Sequence, residues 1–76
     1  MIQAYVLVQT DAGSAPQVAA TANGLTGVTR AHDVTGPYDV IVTVEATDVE
    51  SLGREVVSGI QRINGVTRTI TCSIVS

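Results

Sequence analysis

Apolar and polar residues alternate along the first stretch of the chain. Ile2, Ala4, Val6 and Val8 fall on even positions, with Gln3 and Gln9 between them. A period of two places such residues on one side of a pleated strand. Tyr5 and Leu7 interrupt the polar side. The "TDAGS" that follows is turn chemistry, and Ser14 with Gln17 three residues later fits a capping box, with Pro16 in the first helical turn. A helix is therefore expected from about Ala15, with Val18, Ala19, Ala22 and then Leu25 as its apolar stripe and Asn23-Gly24 as its stop.

The pattern then returns to strands. Val28 to Val34 is short and β-branched, Gly36 and Pro37 supply a turn, and Val40, Val42 and Val44 alternate with Ile41, Thr43 and Glu45. That reads as a hairpin. Thr47 and Glu50 suggest a second capping box, and Val49, Leu52, Val56, Ile60 and Ile63 recur at spacings of three and four, as in a helix of about four turns. Asn64 and Gly65 end it. The last strand carries Val66, Ile70, Cys72 and Ile74 in one phase and Thr67, Thr69, Thr71 and Ser73 in the other.

The order β-α-β-β-α-β explains why GVTR occurs twice, at 27–30 and 65–68. Each copy marks the corner where a helix hands over to a strand. The expected fold is α+β and ferredoxin-like, one domain over residues 1–76, with an antiparallel four-stranded sheet in the order 4-1-3-2 and two helices on one face. The other face would be bare, and Tyr5, Leu7 and Ile41 are too apolar for a fully solvated surface. A second copy is expected to cover it.

Composition supports this picture. A chain of 76 residues buries only about 60 % of its unfolded surface, so self-association is a common remedy. One Cys excludes an internal disulfide, and no Cys/His cluster suggests a metal, so neither metal nor cofactor is expected. Four Arg, no Lys and a net charge of −3 give no basic face for phosphates, so direct nucleic-acid binding is not expected. No apolar run is long enough to span a membrane, and no cleavable leader is visible, so a cytoplasmic location without membrane contact is expected.

Few residues offer chemistry. His32 has no Ser, Cys or second His at a telling distance and reads as a strand residue at the sheet's rim. Cys72, in phase with Ile70, reads as a small buried hydrophobe. Gly13 and Gly24 lack phosphate-loop spacing and read as turn residues. No catalytic residue is assigned. The "TGPYD" hairpin is more informative. It sets a hydroxyl, Tyr38, beside a carboxylate, Asp39, able to fix an amino group, while backbone groups around Gly36 could take a carboxylate.

"GVTRAHDVTGPYDVIVTVEATDVESL" followed by "INGVTRTITCSIV" resembles the C-terminal effector-binding (RAM) domain of the Lrp/AsnC family of amino-acid-responsive regulators. The V-T-G-x-Y-D hairpin, the Leu of the second helix, the helix-ending G-V and the T-x-T of the last strand carry the likeness. The resemblance implies a ferredoxin-like domain that dimerises through its sheet, assembles dimers into rings and binds amino acids near the β2–β3 loop. It implies ligand contacts from Thr35, Gly36, Tyr38 and Asp39, with Thr69 and Thr71 of the last strand. Family regulators carry a preceding helix-turn-helix, whereas this sequence opens on the first strand, as stand-alone members do. The expectation is a non-catalytic binding and oligomerisation module that senses a metabolite or co-assembles with a full-length regulator. Three alternatives stay open: an ACT-like domain binding at "TDAGSAP", a small enzyme of the dimeric α/β-barrel or acylphosphatase kind, and a structural oligomer that binds nothing.

Overall fold

The structure is a computed structural model that describes residues 1–75. Strand β1 (Ile2–Thr10) leads to helix α1 (Ala15–Asn23), then to β2 (Val28–Asp33) and β3 (Val40–Ala46). A second helical run, α2, spans residues 49–61, and β4 (Val66–Ser73) follows. The strands form one antiparallel sheet in the order β2-β3-β1-β4, the expected order read from its other edge.

Register explains how two sides of very different character arise. Val6 opposes Val42 and Val8 opposes Val40, all fully buried, and Ala4 opposes Val44. These pack with Val18, Ala19 and Ala22 of α1 and Leu52, Val56 and Ile60 of α2 in one core, and among the described residues no polar or charged side chain is buried. Both helices therefore cover the side to which the even residues of β1 point. The odd residues face the other way: Tyr5 opposes Thr43 and Cys72, and Leu7 opposes Ile41 and Ile70. No helix covers that side, and Tyr5 is 45 % exposed there.

The helix starts differ from expectation. Ser14 precedes α1 but makes no side-chain cap, so that capping box does not form; Pro16 does lie in the first turn. At α2 the cap is Asp48 rather than Thr47, with its carboxylate accepting from the Ser51 N–H at 2.7 Å. That bond holds the Asp48 carboxyl below its ordinary value of 3.8. Val49, expected in the apolar stripe, is exposed. Helix α2 opens as an α-helix over Val49–Ser51, widens to a π-helix over Leu52–Val57 and closes as an α-helix over Ser58–Gln61. A wider turn brings residues spaced four apart closer to one line than a 3.6-residue turn does, which suits Leu52, Val56 and Ile60.

Glycine and asparagine fix the corners. Gly27 and Gly65, the two G of GVTR, have φ of 89° and 101°. A Cβ on Gly27 would lie 2.5 Å from Val56 Cγ2, so the first corner needs glycine for space as well as for conformation. Gly24 closes α1 as expected, at an ordinary φ of −90°. Asn23 has a different task. Its amide donates to the Ala31 carbonyl at 3.0 Å and accepts from the Ala31 N–H at 2.9 Å, tying α1 to edge strand β2.

Candidate functional site

The β2–β3 connection is held at its base. The Val34 N–H donates to the Asp39 carbonyl at 2.8 Å, and the Asp39 N–H donates to the Val8 carbonyl at 2.9 Å. The Asp39 side chain adds a third tie, because Oδ2 accepts from the Thr10 N–H at 2.8 Å. Gln9 Nε2 donates to the Pro37 carbonyl at 3.4 Å. The hairpin is thus fastened to the end of β1 by backbone and side chain together.

A depression of about 250 Å³ opens where this hairpin meets the uncovered side of the sheet. Thr35, Gly36 and Tyr38 form its hairpin end, and Leu7 and Ile41, opposed in the register, form its floor with Val34 and Pro37 beside them. Gly36 has φ 159°, a positive value that side chains rarely adopt, although a Cβ there would meet nothing within 4 Å. The open space lets a ligand approach the backbone.

Three of the six expected ligand residues, Thr35, Gly36 and Tyr38, line this depression. Asp39 stands next to the lining with its carboxylate engaged by Thr10. Thr69 and Thr71 lie elsewhere: they oppose Val8 and Val6, whose side chains point to the helices. Thr69 Oγ1 accepts from Gln61 Nε2 at 3.0 Å on that side. Within one chain the sheet separates these two threonines from the depression. Ile70, between them, faces the uncovered side opposite Leu7.

Cys72 is exposed opposite Tyr5, which corrects its reading as a buried hydrophobe. At an edge strand the inward positions meet only the margin of a helix, where Gln61 and Thr69 satisfy each other, so Ile70 and Cys72 lie on the uncovered side while Val66, across the register shift, packs against the core. His32 is exposed on edge strand β2, as expected. Leu7 and Ile41 were legible as apolar residues of the uncovered side, but their place under the hairpin depends on the register.

A second cavity, larger at about 340 Å³, lies at the opposite pole and is lined by Gly27, Glu45, Thr47, Ser51 and Glu55 among others. Its two carboxylates and lack of a cation would repel a ligand carboxylate. The hairpin depression carries no such penalty. Among the described residues no cluster of three or more His, Cys, Asp or Glu could hold a metal, and no helix is long and apolar enough to cross a membrane.

Comparison with known proteins adds an independent finding. The family model described as Lrp/AsnC ligand binding domain matches residues 3–76. An uncharacterized HTH-type transcriptional regulator of Pyrococcus abyssi is 32 % identical over 71 residues, which are 90 % of this chain and 47 % of that protein. The chain thus spans about half the length of the curated relatives it matches. A crystal structure of a Thermus thermophilus protein superposes with a TM-score of 0.90 at 34 % identity, covering 100 % of this chain and 95 % of the other. A Neisseria meningitidis transcriptional regulator, solved as a complex with L-Met, gives a TM-score of 0.82 at 21 % identity over 99 % of this chain and 50 % of that one, a likeness of fold.

Proposed function

The chain belongs to the Lrp/AsnC ligand binding domain family, and from that premise we propose that it is a non-catalytic module that binds a free amino acid at the β2–β3 hairpin and self-associates through its uncovered sheet. The observation that carries this reading is the depression at the rim of that sheet, where Thr35, Tyr38 and the open backbone at Gly36 border an apolar floor. Polar groups at one end of a concave apolar site fix a small ligand's orientation. The backbone around Gly36 takes the ligand carboxylate, and Asp39, with Oδ2 held by Thr10, offers its other oxygen to the ammonium.

The L-Met complex of the Neisseria regulator supports the ligand class. Thr69 and Thr71, on the helix side of the sheet, contribute only if another copy presents them, which agrees with a ring of dimers or with co-assembly alongside a full-length regulator. A cytoplasmic setting fits such a role.

A thermal-shift screen against the common amino acids tests the reading. A ligand at 100 times its dissociation constant stabilises the fold by about 2.7 kcal/mol, on the order of 10 °C in a domain of this size. Stabilisation by at least one amino acid is expected; no response to any of them would overturn the assignment.

A further inference from the structure

We infer that Asn64 is a site of spontaneous covalent modification, an asparagine that the folded chain leaves free to convert to isoaspartate, whereas Asn23 in the same dipeptide is held against it. Asn-Gly occurs twice, at 23–24 and 64–65, each time where a helix hands over to the next strand. Asparagine is thermolabile, and most so before glycine, which has no Cβ to crowd its own amide nitrogen as that nitrogen approaches the preceding side chain. Both asparagines are exposed, so exposure does not separate them. Their hydrogen bonds do.

Asn23 is the last residue of α1, and its side chain is engaged three times. Nδ2 donates to the carbonyls of Ala19 at 3.1 Å and Ala31 at 3.0 Å, and Oδ1 accepts from the Ala31 N–H at 2.9 Å. The attacking nitrogen is tied as well, since the Gly24 N–H donates to the Thr21 carbonyl at 3.1 Å. Asn64 stands in the turn between α2 and β4. Among the described residues, neither its side-chain amide nor the Gly65 N–H has a hydrogen-bond partner.

In the reaction the Gly65 nitrogen bonds to Asn64 Cγ as the Cγ–Nδ2 bond breaks, and the Gly65 proton leaves with Nδ2 as ammonia. Water then opens the cyclic imide at either carbonyl. One opening gives aspartate at 64, and the other routes the main chain through Cβ as isoaspartate, which lengthens the backbone by one carbon. That corner has little slack. The Gly65 carbonyl accepts from the Asp11 N–H at 2.8 Å, and a Cβ on Gly65 would lie 3.0 Å from Ser14 Cβ. Isoaspartate at 64 therefore loosens the tie between this corner and the turn after β1.

Peptide mapping of the full chain after incubation at mildly alkaline pH tests the inference. Trypsin cuts after Arg30, Arg62 and Arg68, so residues 1–30 and 63–68 report the two asparagines separately. In the folded chain Asn64 should convert about tenfold or more faster than Asn23, because Asn23 must first be released from its hydrogen bonds by local opening. In urea the two should convert at similar rates. Fresh and aged wild type should differ in thermal midpoint, the aged fraction melting lower, while Asn64→Gln should show no such difference and no conversion at 64. Equal rates at the two sites in the folded chain overturn the inference. So does an Asn64 that converts in urea but not in the folded chain, which would mean that the corner protects it. An aged fraction that melts with fresh protein overturns the stated effect on the corner.

Discussion

Asp39 Oδ2 accepts from the Thr10 N–H, so this side chain has a structural task beside the proposed one. The two tasks can be separated because asparagine keeps an acceptor and removes the charge. Asp39→Ala leaves a part-buried N–H unpaired and should cost about 1–2 kcal/mol of stability by denaturant titration. Asp39→Asn should keep most of that stability yet weaken amino-acid binding by roughly 2–5 kcal/mol if the carboxylate pairs with a ligand ammonium. Unchanged affinity in Asp39→Asn would make Asp39 a strut alone. The glycines divide in the same way. Gly27→Ala places a methyl group against Val56 at a φ of 89° and should cost about 2–4 kcal/mol. Gly36→Ala meets open space but at a φ of 159°, so it should lower the thermal midpoint less than Gly27→Ala does while narrowing the approach to the hairpin backbone. A larger loss of stability at Gly36 than at Gly27 would contradict this account of the corners.

The elements show where the sequence could be read and where it could not. Periods of two and of three to four residues mark β1, β3 and both helices, whose buried stripes face one core, whereas β4 shows the same period with Ile70 and Cys72 turned to the uncovered side. Caps are less legible. In "TDVES" the pattern Thr47…Glu50 overlaps Asp48…Ser51, and only the folded backbone shows that Asp48 accepts from Ser51. Asn23 looked like a stop signal, but its partner is Ala31, eight residues on, and that pairing exists only once α1 lies beside β2. Its amide occupies the N–H and carbonyl of an edge-strand residue, one way to keep an edge from pairing with other chains. The floor of the hairpin depression was hidden for a similar reason, since Leu7 and Ile41 meet there only through the β1–β3 register. At the start of α2 the lowered carboxyl of Asp48 has a consequence for pH. A depressed carboxylate stabilises the folded chain above its unfolded value and loses that contribution as pH falls through its folded value. Thermal midpoints should therefore drop between neutral pH and pH below 3.8 more in the wild type than in Asp48→Asn, which keeps the cap without titrating. Equal acid sensitivity in both would remove Asp48 from the account.

At the scale of the whole molecule the sheet has one side packed under helices and one side with Tyr5, Leu7, Ile41 and Ile70 directed away from them. A small domain with such a side gains stability by covering it. Light scattering at micromolar concentration should give a dimer or a multiple of it, and Leu7→Glu should lower the mass by placing an unpaired charge in the contact. A monomeric wild type would contradict the self-association reading. The amino-acid site is tested most directly by titrating isotopically labelled protein with the best ligand of the thermal screen and following backbone amide resonances. Saturable shifts should concentrate at residues 34–39, Leu7 and Ile41. Shifts confined to residues 11–16, or to Gly27, Glu45 and Glu55 at the opposite pole, would contradict the assignment of the hairpin as the binding site.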